Sequence, residues 1–224
     1  MGFLSKIREG VLDFLFPKQC YGCCTPGSFV CEQCFAKLDA AVDIRTGTAG
    51  DAAIRTLGPA AFQLPFLDAV FPCLKPSPLL RTLIHAFKYE YCEELASVFQ
   101  SFMVRRFMEG HLENFMIVPV PLHVRRLHDR GFNQSSLLAK NLSAHPVDLL
   151  VRHRFTHSQV SLSREERLVN LQDAFSVRDG VMPERVLLVD DVCTTGATLM
   201  ECAKVLRSVG VAQVSAIVLA RGVF

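Results

Sequence analysis

Apolar residues follow two different patterns along this chain: continuous runs and helical spacing. Mostly apolar runs without a helical period are typical of strands buried on both faces of a parallel sheet, and they occupy residues 115–122, 185–189 and 213–220. Apolar residues at helical spacing predict helices, and they occupy residues 79–88, 93–108, 134–142 and 197–208. Shorter strands are predicted at 66–74 and 147–152. Because strands and helices alternate in the second half, the sequence predicts a parallel α/β sheet with binding sites at the carboxyl ends of its strands.

The N-terminal residues 3–16 also have apolar side chains at roughly helical spacing, and Pro17 ends this segment. The pattern is compatible with a helix that packs on the body of the protein. It is also compatible with a helix that binds a membrane surface or a partner helix. Residues 41–61 are rich in Ala, Gly and Thr and are predicted to be a linker or loop. No stretch without a formal charge exceeds 13 residues. A membrane span needs about 20, so no transmembrane helix is predicted.

The composition narrows the class of protein. Of the 224 residues, 50% are hydrophobic and 21% are charged, which is too apolar for a disordered chain. The formal net charge of +2 argues against a protein that binds polyanions over its whole surface, although local basic patches are compatible with it. The length suits one full domain with a small appendage.

Five of the nine cysteines are crowded into one short segment near the N-terminus. Cys20 and Cys23, then Cys31 and Cys34, form two CxxC pairs, a spacing typical of a structural Zn²⁺ site filled by four thiolates. The alternative is a group of buried free thiols, with or without a redox CxxC pair. Cys24 is surplus to the four ligands and is predicted to be free. The charged N-terminal segment lacks the pattern of a secretory signal, so we predict a reducing, cytoplasmic location.

The most specific motif is VLLVDDVCTTGAT at residues 186–198. It predicts a buried strand, two carboxylates where that strand ends, and a hydroxyl-rich turn before a helix. Gly196 lets the backbone approach a phosphate closely, and the amides and hydroxyls of residues 194–198 can bind its oxygens. Asp190 and Asp191 would repel phosphate, and they suit ribose hydroxyls or Mg²⁺ through its waters. The alternative is a strand followed by ordinary helix-capping residues.

This motif resembles the phosphoribosyl-pyrophosphate (PRPP) signature of type I phosphoribosyltransferases. Together with the paired cysteines, it makes the chain similar to the ComF family, bacterial proteins linked to natural competence and DNA uptake. The resemblance implies an α/β fold of the type I phosphoribosyltransferase class, with a hood and a small zinc-ribbon-like N-terminal module. It implies a helix and cysteine module over 1–40, a linker and hood over 41–114, and the transferase core over 115–224. The family leads us to expect a glycine where this chain has Cys24.

The same resemblance assigns roles to individual residues. The residues implied to bind PRPP are Asp190, Asp191, Cys193, Thr194, Thr195, Gly196, Ala197 and Thr198, with Pro119, Arg126 and Lys88 from elsewhere in the chain. The residues implied to act in catalysis are Arg130, Arg164, Arg167, Asp190 and Asp191.

Three segments outside the motif support these roles, each with an alternative. Residues 118–134 place arginines after a proline-fixed strand end, where they can clamp diphosphate oxygens, or they form a solvated basic turn. Residues 152–175 resemble the family's mobile catalytic loop, which would close over PRPP, or they form an exposed helix with internal ion pairs. Lys88 reaches a substrate phosphate, or its stem covers apolar surface at a helix end.

The resulting hypothesis is an enzyme that, with Mg²⁺, transfers phosphoribosyl from PRPP to a nitrogenous acceptor that no motif identifies. One alternative is a PRPP- or nucleotide-sensing scaffold. Another is a non-catalytic accessory of DNA uptake that binds single-stranded DNA through basic and aromatic side chains, namely Arg125, Arg126, Arg130, Arg152, Arg154, Phe132 and Phe155. The partners implied are PRPP or a nucleotide, and single-stranded DNA or DNA-uptake proteins. A homodimer is compatible with the sequence.

The other cysteines divide into two groups. Cys73, Cys92 and Cys202 are predicted to be ordinary core or helix residues. Cys193 lies inside the phosphate motif, where oxidation of its thiol is hypothesised to block PRPP.

Overall fold

The computed structural model of the protein describes residues 18–42, 62–90, 92–143, 145–154, 173–180 and 182–222. The helix predicted at 3–16 and most of the segments at 41–61 and 152–175 lie outside these ranges. None of the helices within the ranges combines the length and the apolar character that crossing a bilayer requires.

The described residues form six helices and seven strands. The helices are α1 (Glu32–Asp39), α2 (Pro78–Tyr89), α3 (Leu95–Glu109), α4 (Val124–Arg130), α5 (Gln134–Ala139) and α6 (Ala197–Ser208). The strands are β1 (Phe62–Leu64), β2 (Leu67–Leu74), β3 (Met116–Pro119), β4 (Leu150–Arg152), β5 (Phe175–Val177), β6 (Arg185–Cys193) and β7 (Gln213–Arg221). The helices predicted from apolar spacing are confirmed as α2, α3, α5 and α6.

Five strands form one sheet in the order β1–β2–β7–β6–β3. Strand β1 is antiparallel to β2, and all other neighbours in the sheet are parallel. Val189 of β6 is in register with Pro119 of β3 and with Ile217 of β7, so the carboxyl ends of these strands meet at one edge. The predicted parallel α/β architecture is confirmed. Strands β1 and β2, from the segment implied to be linker and hood, belong to this same sheet.

Each face of the sheet has its own apolar core, because successive residues of a strand point to opposite faces. On one face, Leu187 and Ile217 pack with residues of α1, α2, α3 and α5. On the other face, Leu188 and Val218 pack with α6 and with the separate antiparallel pair of β4 and β5. Burial on both faces explains why the central strands read as continuous apolar runs.

Two predicted strands differ most from the observed ones, and β3 (Met116–Pro119) is also shorter than the apolar run at 115–122. Strand β6 does not end at Val189: Asp190 is in register with Val218 of β7, and the strand continues to Cys193. The diacid therefore lies within the strand. Strand β4 is shorter than predicted and pairs with β5 outside the main sheet, because the apolar run around it packs on the second core.

The stretch after β3, which was expected to be a turn, contains the short helix α4. The ring Nδ1 of His123 accepts the backbone N–H of Arg125 at 3.2 Å and caps the start of the helix. Gly131 ends the helix with a φ of 73°, a conformation that glycine adopts without strain. The helix has seven residues and buries none of them, so the apolar pattern contained no signal for it.

The cysteine-rich module, residues 18–42, packs against α2 and α3. Leu38 of α1 is buried in the core of the main body, and Phe35 stacks on Phe102 of α3 with ring centroids 5.2 Å apart. Gly22 lies so close to α2 that a Cβ atom there would stand 2.6 Å from the side chain of Leu79. The module is therefore held against the helix that leads to the carboxyl edge of the sheet.

Candidate functional site

The turn between β6 and α6 leaves backbone amides available to an anion. Gly196, the N-cap of α6, has a φ of 79°, which favours glycine, and a side chain at this position would collide with Leu64 of β1. The hydroxyl of Thr195 accepts the N–H of Ala197 at 3.3 Å, and Thr194 is exposed. The first amides of a helix lack carbonyl partners within it and attract negative charge. This turn is therefore suited to a phosphate group.

The carboxylate of Asp191 is paired with a lysine from another element. Because Asp190 and Asp191 are consecutive in β6, their side chains point to opposite sides of the strand. Asp191 is 8% exposed, and its Oδ2 lies 2.8 Å from Nζ of Lys88, in the last turn of α2. Lys88 therefore does more than cover apolar surface, because its ammonium group reaches the diacid.

The carboxylate of Asp190 is held by two donors. The hydroxyl of Ser135 donates to its Oδ1 at 3.0 Å, and the backbone N–H of Asp191 donates to the same atom at 2.9 Å. Burial, followed by the charge of Asp191, raises the pKa of Asp190 to about 7. Lys88 and the two hydrogen bonds oppose this rise. The diacid therefore combines one ion-paired carboxylate with one that burial destabilises in its charged form.

Three arginines lie close to one another beside the diacid. Arg152 of β4 is 8% exposed, and its guanidinium lies 5.4 Å from the ring centroid of Phe175. Burial, followed by the charge of Arg126, lowers the pKa of Arg152 to about 10, whereas Asp190 opposes the shift. Burial and the charge of Arg130 likewise lower the pKa of Arg126. An anionic ligand would offset the repulsion among these cations.

The carboxyl end of β3 lies next to that of β6. Pro119 is buried, and the N–H of Val120 donates to the carbonyl of Val189 at 2.9 Å. The chain then enters α4, which supplies Arg126 and Arg130. The predicted basic segment therefore lies beside the diacid and the turn of residues 194–198, as expected for parallel strands that end at one edge.

Two residues at this edge were missed by sequence reasoning. Tyr89, directly after Lys88, is 52% exposed, and its ring centroid lies 5.1 Å from the guanidinium carbon of Arg130. Ser135, which holds Asp190, is 3% exposed. Each stands beside a residue that the sequence did single out, but their partners lie on other elements, and spacing along the chain does not reveal such contacts.

The predicted residues thus differ in where the structure places them. The residues brought to the edge are Lys88, Pro119, Arg126, Arg130, Asp190, Asp191 and the turn of residues 194–198. Cys193 and Ala197 are buried, so they offer a ligand their backbone rather than their side chains. Arg164 and Arg167 lie outside the described residues, and their catalytic roles stay predictions.

The four paired cysteines converge on one point. The sulfur atoms of Cys20, Cys23, Cys31 and Cys34 all lie within 4.8 Å of one another, and those of Cys23 and Cys31 are 3.4 Å apart. Zinc–thiolate bonds of about 2.3 Å in a tetrahedron require sulfur atoms about 3.8 Å apart. The cluster therefore fits a single ion with a filled coordination shell, in preference to dispersed free thiols.

Local electrostatics favour a thiolate in this cluster. Burial opposes ionisation of Cys20, but backbone N–H groups, led by those of Cys31 and Gly22, outweigh it and lower the pKa of Cys20 to about 6. Burial and the neighbouring thiols raise the pKa of Cys34 to about 12. Metals bind cysteines as thiolates, so a bound cation would remove the difference in pKa between Cys20 and Cys34. Cys24, next to the cluster, has a φ of 61°, which gives a physical reason for the glycine expected there.

A model of the phosphoribosyl transferase domain matches residues 104–222. The match covers just over half of the chain and includes β3, α4, α5, β6, the turn of residues 194–198 and β7. The chain belongs to the phosphoribosyltransferase domain family. The type I phosphoribosyltransferase fold with an N-terminal cysteine module, implied by the resemblance, is thereby confirmed.

Three curated relatives identify the ComF branch of this family. Competence protein F of Haemophilus influenzae is 42% identical over 113 residues, which is 47% of this chain and 49% of that protein. DNA utilization protein YhgH of Escherichia coli K12 is 35% identical over 148 residues, 62% of this chain and 65% of that protein. Competence protein ComFC of Streptococcus pneumoniae is 31% identical over 143 residues, 63% of each chain. The chain is a ComF family protein, and its matches span from about half to just under two thirds of the length of these relatives.

The environment of Cys193 argues against the oxidation hypothesis for this ComF protein. The residue is 2% exposed. Burial, followed by the charge of Asp190, raises the pKa of its thiol to about 11. The thiolate is the form that oxidants and alkylating agents attack, so a buried, protonated thiol is a poor redox sensor.

We therefore predict that Cys193 resists modification in the folded protein. At pH 8 a thiol with a pKa of about 11 is only about 0.1% ionised, and labelling should increase as the pH approaches 11. Peptide mass spectrometry after a timed exposure to iodoacetamide should show labelled Cys24, which is exposed, and unlabelled Cys193. In denaturant both should be labelled. Labelling of the two cysteines at equal rates in the native protein would contradict this account.

Proposed function

We propose that the protein binds PRPP with Mg²⁺ at the carboxyl edge of the main sheet and transfers its phosphoribosyl group to a nitrogenous acceptor. The observation that carries this proposal is the placement of an anion-binding turn, a diacid and paired arginines at one edge. A ligand with a monophosphate at one end, a ribose in the middle and a diphosphate at the other end has a matching set of groups. Membership of the phosphoribosyltransferase family supports the same ligand.

The groups at this edge then bind different parts of PRPP. The backbone and hydroxyls of residues 194–198 bind the 5′-phosphate, and Asp190 and Asp191 bind the ribose hydroxyls. Arg126 and Arg130 bind the diphosphate through bidentate hydrogen bonds. Lys88, which contacts the diacid at 2.8 Å, adds positive charge between these groups.

The carboxylates of Asp190 and Asp191 are the residues here that fit Mg²⁺. This ion prefers oxygen ligands, keeps several waters, and is commonly shared between carboxylates and substrate phosphates. Bound with PRPP, it would neutralise charge on the diphosphate. We assign Arg164 and Arg167 to a loop that closes over the substrate and adds positive charge at the leaving group.

The proposed reaction occurs at C1 of the ribose. The bond from C1 to the diphosphate oxygen breaks, the diphosphate leaves with the electron pair, and the acceptor nitrogen bonds to C1 and releases a proton to solvent. A transition state that resembles an oxocarbenium ion needs positioning and charge stabilisation more than a nucleophilic side chain. A sensing scaffold would use the same binding groups without the transfer step.

We predict that the full chain binds PRPP with Mg²⁺ and that Asp191→Asn weakens this binding at least tenfold, because hydrogen bonds to a charged group contribute about 1.5–3 kcal/mol each. Asp190→Asn should do the same. Isothermal titration calorimetry measures both. Asp148→Asn, an exposed aspartate, is the matched control and should bind as the wild type does. Undetectable binding by the wild type would refute both the enzyme and the sensor.

Pyrophosphate release separates the enzyme from the sensor. A panel of purine, pyrimidine and pyridine bases is added to the wild type with PRPP and Mg²⁺. Release that depends on one base, and that Asp191→Asn abolishes, identifies the enzyme. Binding of PRPP without release for any base identifies the sensing scaffold.

We also propose that the four-cysteine cluster holds a structural Zn²⁺ ion in a reducing, cytoplasmic setting, where its thiolates stay reduced. Reductively purified protein should then contain about one zinc per chain by metal analysis. Cys34→Ser should lose the metal and lower the melting temperature, because metal binding is coupled to folding of the module. Cys24→Ser, which alters a cysteine outside the cluster, should keep both. A zinc content near zero in the wild type would refute the site.

Binding of single-stranded DNA is a second candidate function. It is supported by the names of the relatives, which refer to competence and DNA utilization. In the structure, the exposed ring of Tyr89 lies beside Arg130, a pair that can stack on a base. Two of the contacts expected from the sequence are differently placed: Phe132 packs on Phe87, with centroids 5.7 Å apart, and Arg152 is buried. The stacking surface is therefore Tyr89 and Arg130, and the structure does not describe Phe155.

For this candidate we predict binding of a fluorescent oligonucleotide that weakens as salt increases. Replacing Arg125, Arg126 and Arg130 by alanine should reduce the slope of log affinity against log salt by about 2, since each lost phosphate contact removes about 0.7. Fluorescence anisotropy measures it. Arg178→Ala combined with Arg185→Ala, away from this edge, is the control. An unchanged slope in the triple variant would exclude this surface.

A further inference from the structure

Three consecutive residues at the start of α5 each bond to a different part of the carboxyl edge. We call Asn133, Gln134 and Ser135 the NQS segment. The amide of Asn133 donates to the carbonyl of Val120, directly after β3, at 3.1 Å. Gln134 Oε1 accepts from the guanidinium of Arg130 at 3.2 Å. The hydroxyl of Ser135 donates to Asp190 at 3.0 Å.

The chain enters this segment in a conformation that the local sequence favours. Gly131 reverses the direction of the chain after α4. Asn133 then caps α5, since its Oδ1 accepts the N–H of Ser135 at 3.1 Å. Helix α5 is anchored from the other side by Gln100 of α3, which donates to the carbonyl of Leu137 at 2.6 Å. Helix α5 is therefore held from one side by α3, an element that does not itself belong to the site.

The burial of these side chains indicates a role beyond local structure. Gln134 is 2% exposed and Ser135 is 3% exposed, and buried polar groups cost free energy unless they are hydrogen-bonded. Gln134 Nε2 has no hydrogen-bond partner among the residues that the structure describes. What these two buried polar side chains contribute is a hydrogen bond that Gln134 accepts from Arg130 and one that Ser135 donates to Asp190.

We propose that the NQS segment is a positioning unit that sets the distance between the ribose-binding and diphosphate-binding halves of the site. Ser135 positions Asp190 for the ribose, and Gln134 positions Arg130 for the diphosphate. Asn133 ties both to the end of β3. The inference rests on the proposed binding of PRPP and adds to it the residues that hold the two halves in register.

The arrangement meets a specific need. Arg130 follows β3 and Asp190 lies in β6, so the two halves come from different strands and different parts of the chain. A ligand that spans both must find them at a constant separation, and a displacement of about 1 Å lowers binding and rate steeply. Adjacent residues of one rigid turn supply such a separation, because neither can move without the other.

The test separates the two halves with two small probes, ribose 5-phosphate and inorganic pyrophosphate, each without Mg²⁺ so that no ion links the pyrophosphate to Asp190. Binding is measured by calorimetry on the full chain. Ser135→Ala should weaken the binding of ribose 5-phosphate about tenfold and change the affinity for pyrophosphate by less than twofold. Gln134→Leu should do the reverse. Both variants should bind PRPP about tenfold more weakly, which is the effect of losing one hydrogen bond to a charged group. Ser135→Thr, which keeps the hydroxyl, should restore binding, and Ser136→Ala should have no effect.

Opposite selectivity of the two variants supports the positioning role, since a general loss of stability would weaken both probes alike. Equal effects on both probes, or no effect on either, would overturn it. If a variant loses cooperative thermal unfolding, the near-isosteric Ser135→Cys and Gln134→Met take its place. A wild type that binds neither probe nor PRPP refutes the proposed function, and this inference falls with it. A wild type that binds all three while the variants show no split refutes the inference alone.

Discussion

Two adjacent carboxylates at the end of a strand that is covered on both faces impose the main constraint on this protein. Charge that is removed from water must be paired or hydrogen-bonded, or else the group becomes neutral. Asp191 is paired with Lys88 of α2, and Asp190 is bonded to Ser135 of α5. The elements that surround the carboxyl edge are thus joined to it through the diacid. Removing Lys88 would take away the cation paired with Asp191, and removing Ser135 would take away one of the two donors that hold Asp190.

The same constraint links the cysteine module to the site. Helix α2 begins against the module, where Gly22 packs on Leu79, and ends at the diacid, where Lys88 contacts Asp191. Tyr21 of the module adds a contact with Glu90, directly after α2: burial, followed by a hydrogen bond to Glu90, raises the pKa of the Tyr21 hydroxyl. A structural metal in the module would therefore stabilise the helix that supplies a cation to the site.

Elements with a strong apolar period were predictable from the sequence. An exposed short helix, and the part of a strand that depends on pairing with its neighbour, were not. Helix α6 was predicted with its observed bounds, because its apolar positions recur over three turns after a glycine turn. Helix α4 was missed because it buries no residue. Strand β6 was predicted to end at Val189, since apolar residues stop there, but its pairing with β7 carries it on to Cys193.

Short-range chemistry was determined by the sequence alone: the two CxxC pairs, the glycine turn before α6, and the diacid beside it are all spaced within one or two elements. Such features depend on neighbouring residues, and local backbone preferences suffice to build them. Tertiary structure decided which residues complete them. Ser135 lies 55 residues from Asp190, and Lys88 reaches Asp191 from the opposite half of the chain. These contacts follow from the order of the strands in the sheet, which brings the ends of β3 and β6 and the end of α2 to one edge, and no periodicity along the chain encodes that order.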